Sequence, residues 1–261
     1  MRFLYSLIIL SILFSCRKKS NNSVFIFGHA GMGLDMPNSL YHDNSLEAIE
    51  LCLSIPNSNG VEVDVQIDKQ GCLWLYHDEY LDKITNLSGC VNDKTTKELE
   101  GAHYRTFKKE KLLKLNEILH LIGSDQKLFL DIKNRNACSN SIVNDSLLNE
   151  SLISVLTNNN SKVMVILSDL EWLTDFSTSY PTYFSTDNFS LGYSLLSSNS
   201  NLRGLVIRNK YIEKQQVSEL KSLNKEVYLF DMRSPKGNRK AISKNPTGII
   251  TDDIRAALIE R

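Results

Sequence analysis

Eight short apolar runs, most of them separated by segments with helical spacing, constrain the fold of this sequence more than any other feature. They begin near Val24, Gly60, Lys127, Lys162, Thr182, Leu202, Glu226 and Thr247. Apolar residues recur at the helical period over 44–53, 112–122, 147–156, 170–176, 191–196, 217–223 and 254–259. Strands alternating with helices in this way predict an α/β fold of the (β/α)8 barrel type, and 261 residues suffice for one such barrel. Asp68-Lys69-Gln70-Gly71 reads as a tight turn, and the apolar run 72–76 follows it. A small hairpin insertion after the second strand is therefore expected.

The second strand carries the sharpest chemical pattern. In Gly60-Val61-Glu62-Val63-Asp64-Val65-Gln66 the valines share one face and Glu62, Asp64 and Gln66 the other. Two carboxylates at this spacing repel each other unless a cation sits between them. A hard cation with oxygen ligands, Mg²⁺ or Ca²⁺, suits such a pair. The same alternation also fits a strand whose polar face meets water. The neighbours of the strand weigh on that choice, because chemistry in a (β/α)8 barrel gathers at the C-terminal ends of the strands. His29, Glu62, Asp64, Asp131 and Lys133 all fall at or near such ends.

His29 follows the first apolar run and opens the turn Ala30-Gly31-Met32-Gly33, where glycine would let the backbone approach a ligand. Asn44 is placed to cap the first helix, with Glu47 three residues on. His77 ends the apolar run of the hairpin and precedes Asp78. His42 lies in a loop, while His103 and His120 read as structural or solvated, His120 on the helix expected over 112–122.

The chain balances 30 basic against 30 acidic residues, and this lacks the basic excess that a nucleic-acid partner leaves in a sequence. Residues 3–14 form an apolar run too short to span a bilayer but of the length of a signal-peptide core. Leu13-Phe14-Ser15-Cys16 is similar to a bacterial lipobox, in which the cysteine is acylated. The expected organisation is a signal peptide over 1–15, a polar tether over 16–23 and a barrel over 24–261. The protein would then be lipid-anchored in a bacterial cell envelope, with Cys16 as the lipidated residue. Cys52, Cys72, Cys90 and Cys138 match no zinc spacing. An exported chain can pair cysteines, and Cys72 and Cys90 bracket one loop.

Taken together, these residues resemble the glycerophosphodiester phosphodiesterases. The likeness rests on His29-Ala30-Gly31, Asp43-Asn44-Ser45, Glu62-Val63-Asp64-Val65, Gly71 with His77-Asp78, Asp131-Ile132-Lys133, and Gly248-Ile249-Ile250-Thr251-Asp252. It spans nearly all of residues 24–261, closest over 60–89 and faintest over 137–245. It implies that Glu62, Asp64 and Asp131 hold one divalent cation and that His29 and His77 act as general acid and base. It also implies that Lys133 neutralises a phosphoryl oxygen of a small phosphodiester, with Asn44 on the substrate side. The chain departs from the family at Ala30, where the family has an arginine. Aspartates replace glutamates at Asp43 and Asp131. Arg208, Lys210 or Arg233 could supply the missing cation. Two other readings share the fold: a lyase that releases a cyclic phosphate, and a non-catalytic barrel lipoprotein that binds an anionic glycolipid or polysaccharide.

Overall fold

A computed structural model describes residues 24–34, 36, 39–157 and 162–261. The segments read as signal peptide and tether, with Cys16, lie outside the described residues. The chain runs through β1 (Phe25–His29), α1 (Leu46–Ser54), β2 (Gly60–Ile67), β3 (Leu73–Leu75), α2 (Thr96–Glu100), β4 (Leu113–Lys114) and β5 (Lys127–Ile132). It continues through β6 (Arg135–Asn136), β7 (Ser141–Ile142), α3 (Asp145–Leu156), β8 (Val163–Leu167), α4 (Leu170–Ser179), β9 (Thr182–Ser185) and α5 (Phe189–Ser198). The last elements are β10 (Gly204–Arg208), α6 (Lys214–Ser222), β11 (Glu226–Met232), α7 (Pro235–Ser243), β12 (Gly248–Thr251) and α8 (Ile254–Glu260).

Strands β1, β2, β5, β8, β9, β10, β11 and β12 pair in parallel in that order, and β12 returns to β1 to close the ring. This is the expected (β/α)8 barrel, and the eight apolar runs supply its eight strands. The ring is complete within residues 24–261, so a chain that starts shortly before Val24 retains every described element. Among the described residues no helix is long and apolar enough to cross a membrane.

Alternation within each strand divides the core into two layers. Val61, Val63 and Val65 of β2, with Leu128, Leu130 and Ile132 of β5, pack outward beneath the helices. Phe27, Phe129, Met164, Ile166, Tyr183, Val206, Tyr228 and Ile250 fill the barrel axis. Their rings meet edge to face, Phe27 on Phe129 at 5.0 Å and Phe129 on Tyr228 at 4.8 Å between centroids. This plug closes the barrel below the level of Glu62 and Asp64, so every residue of β2 is buried, its polar face included.

One local expectation fails for a physical reason, and the structure goes beyond the sequence reading at two other places. The helix expected over 112–122 is instead the two-residue strand β4 followed by short 3-10 turns over Leu115–Glu117 and Leu119–Leu121. Leu113 and Leu115 belong to the core because β4 pairs with β3, so their apolar spacing reflects sheet packing and not a helix. The insertion after β2 is also larger than a hairpin. It adds α2 and β4 to β3 and has its own core of Trp74, Tyr76, Leu81, Val91, Leu99, Tyr104 and Leu112. The disulfide joins Cys90 to Cys138, tying the insertion to the hairpin of β6 and β7, while Cys72 and Cys52 are free. Helix α7 escapes a periodicity reading because Pro235 and Gly237 sit in its first turn and only Asn238 and Ala241 are fully buried.

Candidate active site

The carboxyl ends of β1, β2 and β5 bring the singled-out acids together. In the parallel register His29 lies beside Glu62, and Asp64 lies beside Asp131. One carboxylate oxygen from each of Glu62, Asp64 and Asp131 falls within 4.8 Å of the others. An all-carboxylate set this tight is the donor chemistry of a hard divalent cation, so the residues present fit the metal that the sequence implies. Burial and the charge of Asp64 push Glu62 up to about 8, as befits a carboxyl crowded among acids. Asp64 moves the other way, down to about 2. Its burial opposes ionisation, but Lys133 and His77 outweigh that effect.

Lys133 bridges two of the three acids, its Nζ 2.8 Å from Asp64 and 2.7 Å from Asp131. Burial disfavours its charge, yet the two carboxylates raise its pKa overall and keep it an ammonium. Asn44 belongs to the site and does not cap α1. Its amide donates to Asp64 Oδ2 at 2.8 Å, and its Oδ1 accepts from the Asp64 N–H at 3.1 Å. It sits at φ +55°, a conformation asparagine tolerates, and the cap passes to Ser45, whose hydroxyl accepts from Ala48 N–H.

The two histidines at the site are each held by an aspartate. His29 Nδ1 lies 2.8 Å from Asp252 Oδ1, which also accepts from the N–H of Leu34. Burial works against a charge on His29, but Asp252, Glu62 and Asp64 overcome it and raise the imidazole to about 9. His77 Nδ1 lies 2.9 Å from Asp78. That bond raises the His77 pKa against the opposing effect of burial and lowers that of Asp78. Gln66 fixes the segment that carries His77, its amide donating to the carbonyls of Tyr76 and Asp78 at 3.0 and 2.8 Å.

Two of these partners, Asp252 and Gln66, had no role assigned from sequence. Asp252 follows the last barrel strand directly, so the rule that picked out His29 and Asp131 reaches it too. Gln66 continues the polar face of Glu62 and Asp64. The glycines of the first turn serve packing as well. A Cβ on Gly31 would lie 2.9 Å from Ala48 of α1, and one on Gly33 would lie 2.5 Å from the Asp252 carbonyl. They let the turn nest against α1 and the end of β12.

A cavity of about 520 Å³ opens over this cluster. His29, Asp64, His77, Asp131 and Lys133 line one side, and Asp187, Arg208, Phe230, Asp231 and Arg233 the other. Arg208 pairs with Asp187 and stacks over Phe230 at 5.1 Å, while Arg233 lies 3.5 Å from Asp231 and 3.6 Å from Asp252. Lys210 does not line the cavity and instead rests over Tyr211. Ala30 is buried with its N–H donating to Glu62 Oε2 at 3.0 Å. His42 stacks on Tyr104 and pairs with Asp43 outside the cavity, and His103 and His120 lie outside it as well.

The model of the glycerophosphoryl diester phosphodiesterase family matches residues 29–256. A glycerophosphodiester phosphodiesterase of Bacillus altitudinis is 32% identical over 117 residues, 43% of this chain and 45% of that protein. One from Caldanaerobacter subterraneus subsp. tengcongensis is 29% identical over 148 residues, 55% of this chain and 56% of that protein. The matched stretches thus span about half the length of these curated relatives. Among solved structures, an Oleispira antarctica phosphodiesterase in complex with the product sn-glycerol-3-phosphate superposes with a TM-score of 0.76 at 17% identity, over 90% of this chain and 96% of that one. The Thermotoga maritima glycerophosphodiester phosphodiesterase superposes at 0.74 with 20% identity, over 93% of this chain and all of that one.

Proposed function

The chain belongs to the glycerophosphoryl diester phosphodiesterase family, and from that premise we propose that it cleaves glycerophosphodiesters to an alcohol and glycerol phosphate with one divalent cation. The observation that carries the proposal is the convergence of Glu62, Asp64 and Asp131 within 4.8 Å, beneath a cavity that His29 and His77 both line. The product in the Oleispira antarctica neighbour agrees with this substrate class.

His29, whose bond to Asp252 favours its protonated form, serves as the general acid. His77, the more exposed of the two, serves as the base. A positioned acid or base typically contributes about 10²–10⁴ in rate. Lys133 is placed to neutralise a phosphoryl oxygen while it holds Asp64 and Asp131. A cation on the three carboxylates, Mg²⁺ or Ca²⁺, would lower the pKa of the attacking hydroxyl and screen the phosphate charge. Arg208 and Arg233, across the cavity, supply positive charge that Ala30 does not.

Turnover of glycerophosphocholine, glycerophosphoethanolamine and bis-p-nitrophenyl phosphate, with EDTA, Mg²⁺ and Ca²⁺ arms, tests the proposal. Metal-dependent turnover that His77→Ala abolishes is expected, and silence on every substrate with either metal would overturn it. Phosphorus NMR of the product separates hydrolysis from a lyase, which would stop at a cyclic phosphate.

The N-terminal sequence supports an exported protein, cleaved before Cys16 and anchored through a lipid on that residue in a bacterial envelope. Fatty-acid labelling that Cys16→Ala removes would be the sign of it.

A further inference from the structure

We propose that the surface built by residues 40–41 and 105–111 is a docking site for an anionic lipid bilayer. Phe107 is fully exposed, at 101% of its reference area, and Leu40 is 75% exposed. With Tyr41 they line a shallow cavity of about 450 Å³ at the barrel rim. Four exposed cations, Arg105, Lys108, Lys109 and Lys111, flank Phe107 along the same loop. Lys108 Nζ reaches over the Tyr41 ring at 5.3 Å. The one acid of the stretch, Glu110, is turned inward, where it accepts from the His42 N–H at 3.1 Å and from the Thr106 hydroxyl. The outer face is therefore apolar and cationic together.

The tip is also held in shape. Tyr104 N–H donates to the Glu110 carbonyl at 2.8 Å, and His103 bridges to Lys111, closing a tight loop with Phe107 at its end. Presenting Phe107 to a partner thus requires little further ordering. The loop is bound to the rim that bears the catalytic cluster. The His42 N–H donates to Glu110, and Asn44, two residues on, holds Asp64. A membrane engaged here would lie on the cavity's side of the barrel.

Charge decides the occupant. The centres of protein interfaces are depleted of lysine, whereas an aromatic tip flanked by Lys and Arg matches the headgroup and acyl boundary of an anionic bilayer. The cations stay among the headgroups while Phe107 and Leu40 enter the boundary. The proposal stands on this surface alone, independent of lipidation at Cys16 and of phosphodiester turnover.

Flotation of the chain from Asn22 onward tests it, with vesicles of phosphatidylcholine alone and of phosphatidylcholine and phosphatidylglycerol in equal parts. Binding to the anionic vesicles, weakened by added salt, is expected. Phe107→Ser should lower partitioning about tenfold or more. Lys108→Gln and Lys109→Asn should each lower it about fivefold. Unchanged melting temperatures would show that the variants fold. The proposal is overturned by absent binding, by equal binding to both vesicles that these variants leave unaltered, or by a dimer in buffer that Phe107→Ser dissolves.

Discussion

The two sides of the cavity mouth are built on opposite principles. On the side of β1, β2 and β5, Glu62, Asp64 and Asp252 are buried, while His77 and Asp78 are about a third exposed, and the singled-out side chains have partners of their own: Asn44 for Asp64, Asp252 for His29, Asp78 for His77. On the side of β9, β10 and β11, Arg208, Asp187, Asp231 and Arg233 are a third to more than half exposed and pair mainly with one another. Groups held in place by hydrogen bonds, the carboxylates of β2 desolvated as well, suit chemistry, since they need little reorganisation during the reaction. Exposed ion pairs are worth little on their own and exchange readily for a ligand. Under the proposed function the first side would serve catalysis and the second recognition, and substitutions on the two should differ in kind.

The largest effects belong to the first side. Glu62→Gln or His77→Ala should cost about 10²–10⁴ in kcat. Glu62→Gln should in addition weaken Mg²⁺ or Ca²⁺ binding in a titration without substrate, which His77→Ala should not. A Glu62→Gln variant that binds the cation as tightly as the native chain would break the assignment of the acidic cluster. Asp252→Asn comes next, with a loss of about a hundredfold in kcat. Asp252 favours the charged form of His29 through its bond and its charge. Removing that charge lowers the imidazole pKa, so the alkaline limb of the rate profile should move to lower pH. A fall in rate with an unmoved limb would place the Asp252 effect elsewhere than on His29.

Smaller effects are expected across the mouth. Arg208→Ala should raise KM about tenfold, the scale of one charged hydrogen bond, and leave kcat nearly unchanged. If kcat falls as far as it does in His77→Ala, the second side takes part in the chemical step and the contrast between the two sides fails.

The same contrast explains what could be read from the sequence. The ring of strands was legible because most barrel strands are nearly unbroken apolar runs, with β2 the alternating exception, and such runs leave few alternatives when eight strands recur in order. His29, Glu62, Asp64, Asp131 and Lys133 were legible because strand ends in this fold converge. The structure also brings His77 to the same cavity. Residues that act through a partner were harder to see. The pairing of Asp252 with His29 joins positions 223 residues apart, and no local pattern announces it. For Asn44 the capping reading fails while its placement at the site stands, because its side chain suits a helix cap equally well and only its positive φ and the nearness of Asp64 show which bond it makes. In the insertion, the leucines of 112–122 obey a helical period by coincidence with sheet packing. The partners of Cys90 depend on how two loops meet, a matter of tertiary geometry that spacing does not encode.

Gln66 gives the finest test of the division. Its amide links β2 to the carbonyls on either side of His77, at 3.0 and 2.8 Å. Gln66→Leu keeps much of the volume and removes both donors. A net hydrogen bond contributes about 1 kcal/mol, so a drift of His77 from its working position should cost about fivefold in kcat. KM should change little, because Gln66 carries no charge with which to hold an anion. The insertion has a core of its own around Trp74, Tyr76 and Tyr104, and that core competes with Gln66 for the task of placing His77. A kcat untouched by Gln66→Leu would mean that the core alone suffices. A fivefold loss would mean that the catalytic side extends its one-partner-per-group rule to the backbone that carries His77.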